Sequence, residues 1–243
     1  MNNIIPLFLS LFSGFSTILG FLIIFIKNKN NILYDAFAFA AGVMFTVSIF
    51  DLIPESFNYL NTYFNLFPLI VIIGIFFSIG VLISIFIDKF IPSNNDQIYR
   101  VGIISLIAII IHNIPEGIAT FLAGSIDINL GITLAIAITL HNIPEGITIA
   151  LPIYYSTNNK KKAFIYTFIA GLSEFCGAFI TLLFFKSYIS NLLIGILLAI
   201  IAGIMFQISI YELIPQSFKN KKGRGVVAFL VGGVVMLISI III

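Results

Sequence analysis

Long apolar runs, separated by short polar connections, dominate the pattern of hydrophobic and polar positions along this chain. A helix of roughly 20 residues crosses the hydrocarbon core of a bilayer, and eight runs are long enough to do so. These runs lie at about residues 5–26, 34–53, 66–87, 101–123, 128–154, 163–185, 191–214 and 225–243. Because no connection could hold a separate folded unit, we expect residues 1–243 to form a single domain. The pattern predicts an all-α membrane protein with eight transmembrane helices.

Composition agrees with a bilayer setting. Hydrophobic residues make up 60% of the chain, charged residues make up 9%, and the mean hydropathy is +1.17, outside the range of soluble globular domains. The first run has no basic residue before it, so we expect a retained helix rather than a signal peptide. The single cysteine, Cys176, cannot form an intramolecular disulfide, and we expect it to be a small buried packing residue.

The basic residues predict the orientation. If the N-terminus is extracytoplasmic, the cytoplasmic connections carry Lys27, Lys29, Lys89, Arg100, Lys160, Lys161, Lys162, Lys219, Lys221, Lys222 and Arg224, and the other side carries Lys186. Such a bias follows the positive-inside rule. It predicts that both termini are extracytoplasmic, and we expect a multi-pass protein of the plasma (inner) membrane. These connections face anionic lipid, and nothing in the sequence indicates a nucleic-acid partner.

Two segments repeat each other across the chain. Residues 41–57 read AGVMFTVSIFDLIPESF and residues 202–218 read AGIMFQISIYELIPQSF, with 11 of 17 positions identical. The copies lie in predicted spans 2 and 7, which an odd number of crossings separates, so they run in opposite directions. This indicates an inverted repeat of spans 1–3 and 6–8 around spans 4 and 5. Such repeats are typical of secondary transporters, whose substrate site lies near the midplane.

The sextet His-Asn-Ile-Pro-Glu-Gly occurs at 112–117 and again at 141–146, in spans 4 and 5, and holds both histidines of the chain. Residues i and i+4 of a helix share a face, so His112 projects with Glu116 and His141 with Glu145. Asn113 and Asn142 flank the carboxylates. Imidazole, carboxylate and amide oxygen are ligands that suit Zn²⁺ and Fe²⁺. The doubled motif therefore predicts a metal site.

Proline and glycine belong to the same motif. Pro115 and Pro144 have no N–H to donate, so we expect each to break the helical hydrogen bonding beside the ligands. Gly117 and Gly146 allow neighbouring helices to approach closely.

A third carboxylate at depth, Glu174, lies in span 6. Each buried anion costs about 2–3 kcal/mol on insertion scales, and the three repel one another. Bound divalent cations would offset both costs, and protonation would offset them too at the expense of function. The charges are compatible with a two-metal site in which Glu116 and Glu145 are the bridges.

On these motifs the chain resembles the ZIP family of divalent metal transporters, and especially its short bacterial members, along essentially its whole length. The resemblance implies eight spans with both ends outside, and metal uptake into the cytosol through a site between spans 4, 5 and 6. It implies a first metal site formed by His112, Glu116, His141 and Glu145. It implies a second metal site formed by Asn113, Glu116, Asn142, Glu145 and Glu174.

Three features depart from the family pattern. Phe175, rather than proline, follows Glu174; residues 88–100 contain no histidine; and Tyr211, rather than histidine or aspartate, precedes Glu212. Acidic and amide groups at the ends of spans 2 and 7 give a further hypothesis. Asp51 and Glu55 would attract incoming cations at the outer side, and Glu212 and Gln216 would receive them at the inner side.

Other functions remain open on the residues alone. An intramembrane metal-dependent hydrolase would use similar ligands, but the zincin motif His-Glu-x-x-His is absent and no general base stands out. A purely structural metal does not explain the antiparallel duplication. We therefore predict a transporter without a catalytic cofactor, which moves Zn²⁺, Fe²⁺ and possible further ions such as Mn²⁺, Co²⁺ and Cd²⁺. The oligomeric state stays open, with a homodimer as one arrangement.

Overall fold

Eight helical spans make up the structure, a computed structural model that describes residues 4–26, 29–90, 96–185, 190–218 and 222–242. The spans are, in chain order, Ile4–Phe25, Ile32–Leu60, Leu66–Lys89, Gln97–Ile126, Ile128–Thr157, Lys160–Phe184, Asn191–Ser217 and Gly223–Ile241. No strand occurs within these described ranges. The prediction of an all-α membrane protein with eight spans is confirmed. The basic residues Lys27, Lys186, Lys219 and Lys221 lie outside the described residues.

Spans 2 and 7 widen from α-helix to π-helix just before a proline. The helix that contains span 2 is α-helical over Lys29–Val47, π-helical over Ser48–Leu52 and α-helical again over Ile53–Leu60. The helix of span 7 is α-helical over Asn191–Gln207, π-helical over Ile208–Leu213 and α-helical again over Ile214–Ser217. Pro54 and Pro215 cannot donate to the carbonyl four residues back. The residue before each proline donates instead to a serine carbonyl five residues back, that of Ser48 or Ser209. Both copies of the repeat thus accommodate their proline in the same way.

The other spans are simpler. Span 1 is an α-helix over Ile4–Gly20 that tightens to a 3₁₀ turn over Phe21–Phe25, and span 6 is an α-helix over Lys160–Ile180 followed by a π-helix over Thr181–Phe185. Spans 3 and 8 belong to α-helices Leu66–Phe90 and Lys222–Ile242.

Spans 4 and 5 form a tight antiparallel hairpin. The α-helix Gln97–Ile126 is separated from the α-helix Ile128–Thr157 by Asp127 alone. The Asp127 carboxylate accepts a hydrogen bond from the Asn129 N–H at 2.8 Å and so caps the start of span 5. His112 lies 15 residues before Asp127 and His141 lies 14 residues after it. The two motif copies therefore sit at matched depth.

Reciprocal contacts confirm the inverted repeat. The Ser48 hydroxyl of span 2 donates to the Ala202 carbonyl of span 7 at 2.7 Å, and the Ser209 hydroxyl of span 7 donates to the Ala41 carbonyl of span 2 at 2.8 Å. Ser48 corresponds to Ser209 in the repeat, and Ala41 to Ala202. A pseudo-twofold axis therefore relates spans 2 and 7.

Glycine contacts extend this relation to the outer spans. Gly42 of span 2 lies against the Phe229 carbonyl of span 8, as Gly203 of span 7 lies against the Phe77 carbonyl of span 3. Spans 1, 4, 5 and 6 pack together around the HNIPEG motifs, while spans 2 and 7 pack against each other. Span 2 also contacts span 5, so the acidic end of span 2 is brought towards the motifs.

Cys176 lies on the exposed surface of span 6, so the prediction that it is a buried packing residue is wrong. Glu174, two positions earlier, is fully buried. Two residues along an α-helix turn the side chain by about 200°. Because Glu174 faces inwards, Cys176 faces outwards.

Candidate metal centre

Each histidine of the HNIPEG motifs pairs with the glutamate of the opposite helix. His112 Nε2 lies 3.1 Å from Glu145 Oε2, and His141 Nε2 lies 3.3 Å from Glu116 Oε1. All four side chains are between 0% and 3% exposed. Each helix contributes one His and one Glu on a shared face, as the spacing predicts. The two crossed pairs correspond to each other under the pseudo-twofold relation.

These contacts leave the polar atoms of the four side chains without aligned hydrogen-bond partners. Both ring nitrogens of His112 and His141 and both carboxylate oxygens of Glu116 and Glu145 are buried and unsatisfied. A buried polar atom without a partner costs about 1–3 kcal/mol, and more when it is charged. Within the described ranges, no three His, Cys, Asp or Glu side chains already converge on one point. The His and Glu side chains would therefore have to rotate towards a divalent ion between the two pairs in order to bind it.

The two asparagines present oxygen atoms to the same region. Asn113 Nδ2 donates to the Ala170 carbonyl of span 6 at 3.1 Å, and Asn142 Nδ2 donates to the Ser13 carbonyl of span 1 at 3.0 Å. Both Oδ1 atoms are buried without a partner. Because the amide nitrogens donate hydrogen bonds to backbone carbonyls, the amide oxygens are the atoms left free to bind a metal ion.

Glu174 is satisfied, unlike the motif glutamates. Its Oε2 accepts a hydrogen bond from Asn142 Nδ2 at 2.9 Å, and its Oε1 accepts one from the Ser13 hydroxyl. Glu174, Asn142 and Ser13 are all 0% exposed. Glu174 therefore reaches the motif on span 5 although Phe175, rather than proline, follows it.

Sequence reasoning missed span 1 as a part of this centre. Ser13, Gly14 and Thr17 are buried on the side of span 1 that faces the motifs, and Ser13 and Thr17 lie one helical turn apart. That polar stripe in an apolar run was the available signal. Span 1 adds a fourth helix to the three that the motifs indicate.

The motif glycines and prolines have different outcomes. A Cβ at Gly117 would collide with the Glu174 carbonyl, and one at Gly146 would collide with the Thr17 carbonyl, so the predicted close approach is confirmed. Each proline lacks the N–H that would donate to the carbonyl four residues back, as expected, but it does not end its helix. The α-helices of spans 4 and 5 continue through Pro115 and Pro144. Packing on several sides holds these helices together despite the missing hydrogen bond.

The acidic end of span 2 reaches the centre. Asp51, Glu55 and Tyr59 line a cavity of about 60 Å³ together with Glu116 and His141. The same three residues line a larger cavity of about 360 Å³, which extends past Leu130 near the start of span 5. These two cavities lead from the Asp127 end of the hairpin to the Glu116–His141 pair.

The corresponding end of span 7 has other neighbours. Glu212 is half-buried, and the charged groups that act on it include Asp88 and Arg100, which form an ion pair at 2.6 Å. Asp51, its equivalent, interacts electrostatically with His141 and Glu116. Gln216 is half-buried one turn beyond Glu212. The structure thus brings Asp51 to the centre and sets Glu212 beside the Asp88–Arg100 pair.

Comparison with known proteins fits these features. The model of the family described as ZIP zinc transporter matches residues 93–240. The zinc transporter ZupT of Campylobacter jejuni is 37% identical, over 96% of this chain and 94% of the relative. The zinc transporter ZupT of Lysinibacillus sphaericus is 39% identical, over 99% of this chain and 98% of the relative. That of Oceanobacillus iheyensis is 38% identical over 90% of each. The chain therefore belongs to the ZIP zinc transporter family, as its paired HNIPEG motifs predict.

Proposed function

We propose that the chain carries Zn²⁺ across the plasma membrane into the cytosol through the centre formed by its HNIPEG motifs. Membership of a family of zinc transporters makes it a divalent-metal transporter and not an enzyme, so the hydrolase alternative is wrong. The observation that carries the finer proposal is the crossed arrangement of two His–Glu pairs. They are buried, unsatisfied and reached by an acid-lined cavity.

The ligand set supports a binuclear centre. His112, Glu116, His141 and Glu145 supply the first ion, and the free oxygens of Asn113 and Asn142, with Glu174 and the bridging glutamates, supply the second. Three carboxylates at depth carry three negative charges, which two divalent ions neutralise while leaving a small positive excess. Because the pairs lie near the middle of spans 4 and 5, the centre sits near the bilayer midplane.

The route runs from the extracytoplasmic side to the cytosol. Asp51 and Glu55 line the outer cavities and raise the local concentration of cations. Glu212 and Gln216 receive the ion at the opposite end. The bias of basic residues to one set of connections supports an orientation with both termini outside, and this orientation gives the proposed route its direction.

The ligand chemistry supports a range of first-row ions. Imidazole, carboxylate and amide oxygen bind Zn²⁺ and Fe²⁺, and also Mn²⁺, Co²⁺ and Cd²⁺, whereas the absence of a thiolate in the proposed ligand set disfavours Cu(I). Competition by each ion against Zn²⁺ uptake would rank them. The homodimer stays a prediction, which chemical cross-linking in native membranes would test.

Uptake into vesicles tests the proposal. Protein reconstituted with a known orientation should accumulate Zn²⁺ in the direction that corresponds to entry into the cytosol. Replacing Glu116 and Glu145 by Ala should abolish uptake because the bridging ligands are lost. The matched control is Asp127→Asn, which removes a carboxylate but keeps a residue that caps span 5. Uptake that survives the double replacement would reject this centre as the route.

A further inference from the structure

We propose that Ser13 of span 1 is a positioning residue of the metal centre, which holds Glu174 and Asn142 in the orientation in which they bind the second ion. The proposal rests on the function proposed above and adds to it a helix without a motif ligand. Ser13 acts through its neighbours rather than as a ligand.

Ser13 makes two different contacts with the centre. Its hydroxyl donates to Glu174 Oε1, and its carbonyl accepts from Asn142 Nδ2 at 3.0 Å. Asn142 Nδ2 also donates to Glu174 Oε2 at 2.9 Å. The three residues form a closed ring of hydrogen bonds that joins spans 1, 5 and 6. In this ring Asn142 Oδ1 stays free of hydrogen bonds.

The serine hydroxyl has one proton and three acceptors in reach. The carbonyls of Leu9 and Ser10, on its own helix, lie at 3.0 and 3.3 Å. The third acceptor is the carboxylate of Glu174. Because a hydrogen bond to a charged acceptor is stronger than one to a neutral carbonyl, the proton goes to Glu174.

The pseudo-twofold relation shows that this ring breaks the symmetry of the centre. Gly117 against the Glu174 carbonyl corresponds to Gly146 against the Thr17 carbonyl, so position 17 of span 1 corresponds to position 174 of span 6. By the same offset, position 13 corresponds to Ala170, whose carbonyl accepts from Asn113. One half of the centre thus has a hydroxyl and an acid, and the other half has alanine and threonine. The Ser13 hydroxyl and the Glu174 carboxylate that it holds therefore lie in the same half of the centre.

Close backbone contact brings the donor within reach of the acid. A Cβ at Gly14 would collide with the Gly171 carbonyl, and one at Gly171 would collide with the Gly14 carbonyl. Spans 1 and 6 therefore meet at two glycines, one of them adjacent to Ser13. The approach fixes the distance between the hydroxyl and the carboxylate.

Zinc binding to the purified full-length protein tests the proposal. Ser13→Ala removes the donor and keeps the backbone acceptor, and it should weaken the lower-affinity Zn²⁺ ion about tenfold, which corresponds to about 1.4 kcal/mol. The tighter ion should bind unchanged because the His–Glu pairs do not contact Ser13. Ser10→Ala is the matched control, since Ser10 is equally buried on the same helix and donates to the Leu7 carbonyl. It should leave both affinities unchanged.

A double replacement separates positioning from a general structural effect. In Glu174→Ala, the added Ser13→Ala change should have no further effect on the weaker ion, because the acceptor that the Ser13 hydroxyl holds is absent. Ser13→Thr keeps the donor and should bind as the unchanged protein does. Equal affinities in Ser13→Ala and the unchanged protein, or an undiminished Ser13 effect in the Glu174→Ala background, would overturn the proposal. Absence of vesicle uptake by the unchanged protein would instead reject the proposed function, since this binding assay does not depend on transport.

Discussion

Replacing Gly117 by Ala should force spans 4 and 6 apart. A Cβ at this position would lie 2.7 Å from the Glu174 carbonyl carbon and 3.2 Å from the Ala178 backbone nitrogen. That carbon distance is about 0.7 Å short of the 3.4 Å at which ordinary contact begins, and the Glu174 carbonyl oxygen would be nearer still. Because both neighbours are backbone atoms of one helix, no side chain can rotate away, and the helix itself has to move.

The expected change in the free energy of unfolding follows from two opposing effects. Overpacking of this kind costs about 1–3 kcal/mol. Alanine is favoured over glycine within a helix by about 0.5–1 kcal/mol, which offsets part of that cost. Gly74 of span 3 is the matched control, because a Cβ there meets nothing within 4 Å. Gly74→Ala should therefore gain the helix preference alone, and the two variants should differ by about 1–3 kcal/mol.

Unfolding of the purified protein in detergent measures this difference. Gly117→Ala should also weaken the lower-affinity Zn²⁺ ion, since the displaced helix carries Glu174. Gly146→Ala should cost a similar amount of stability, because it meets the equivalent Thr17 carbonyl. If Gly117→Ala is as stable as Gly74→Ala, spans 4 and 6 do not pack as closely as the structure shows, and the reasoning is refuted.

Two further predictions concern span 2 and its repeat. Asp51→Asn combined with Glu55→Gln should raise the KM for Zn²⁺ uptake several-fold at low ionic strength and less at high ionic strength, because salt screens the attraction of the cavity for cations. An equal rise in KM at both ionic strengths would contradict long-range attraction. The control Asp127→Asn should leave the KM unchanged at both ionic strengths. Ser48→Ala and Ser209→Ala should each lower stability by about 0.6 kcal/mol, the average for an interhelical hydrogen bond in a membrane protein. Thermal unfolding would compare them, and clearly unequal losses would argue against the symmetric roles of the two serines.

The eight spans could be predicted from the sequence because crossing a bilayer needs only a continuous apolar run, which is a local property. The ligand faces could be predicted for the same reason. His112 and Glu116 project together on any α-helix, whatever surrounds it. The inverted repeat could also be predicted from the sequence, since two similar segments separated by an odd number of crossings have to run in opposite directions.

The pairing of the proposed ligands was decided by tertiary structure. His112 meets Glu145 and His141 meets Glu116 because spans 4 and 5 turn their motif faces towards each other. That rotation depends on contacts between distant segments, such as Gly117 against span 6 and Gly146 against span 1. Periodicity within one helix does not contain this information.

The burial and the partners of individual side chains depended on the same contacts between helices. Cys176 proved exposed because the burial of Glu174 fixes which face of span 6 turns inwards. Ser13 entered the centre because two glycines let spans 1 and 6 meet beside it. The sequence by itself therefore determined the spans, the opposite directions of the repeated segments and the chemistry of the proposed ligands. Tertiary packing determined which ligands meet and what holds them, because the rotation and separation of helices are set by neighbours far away along the chain.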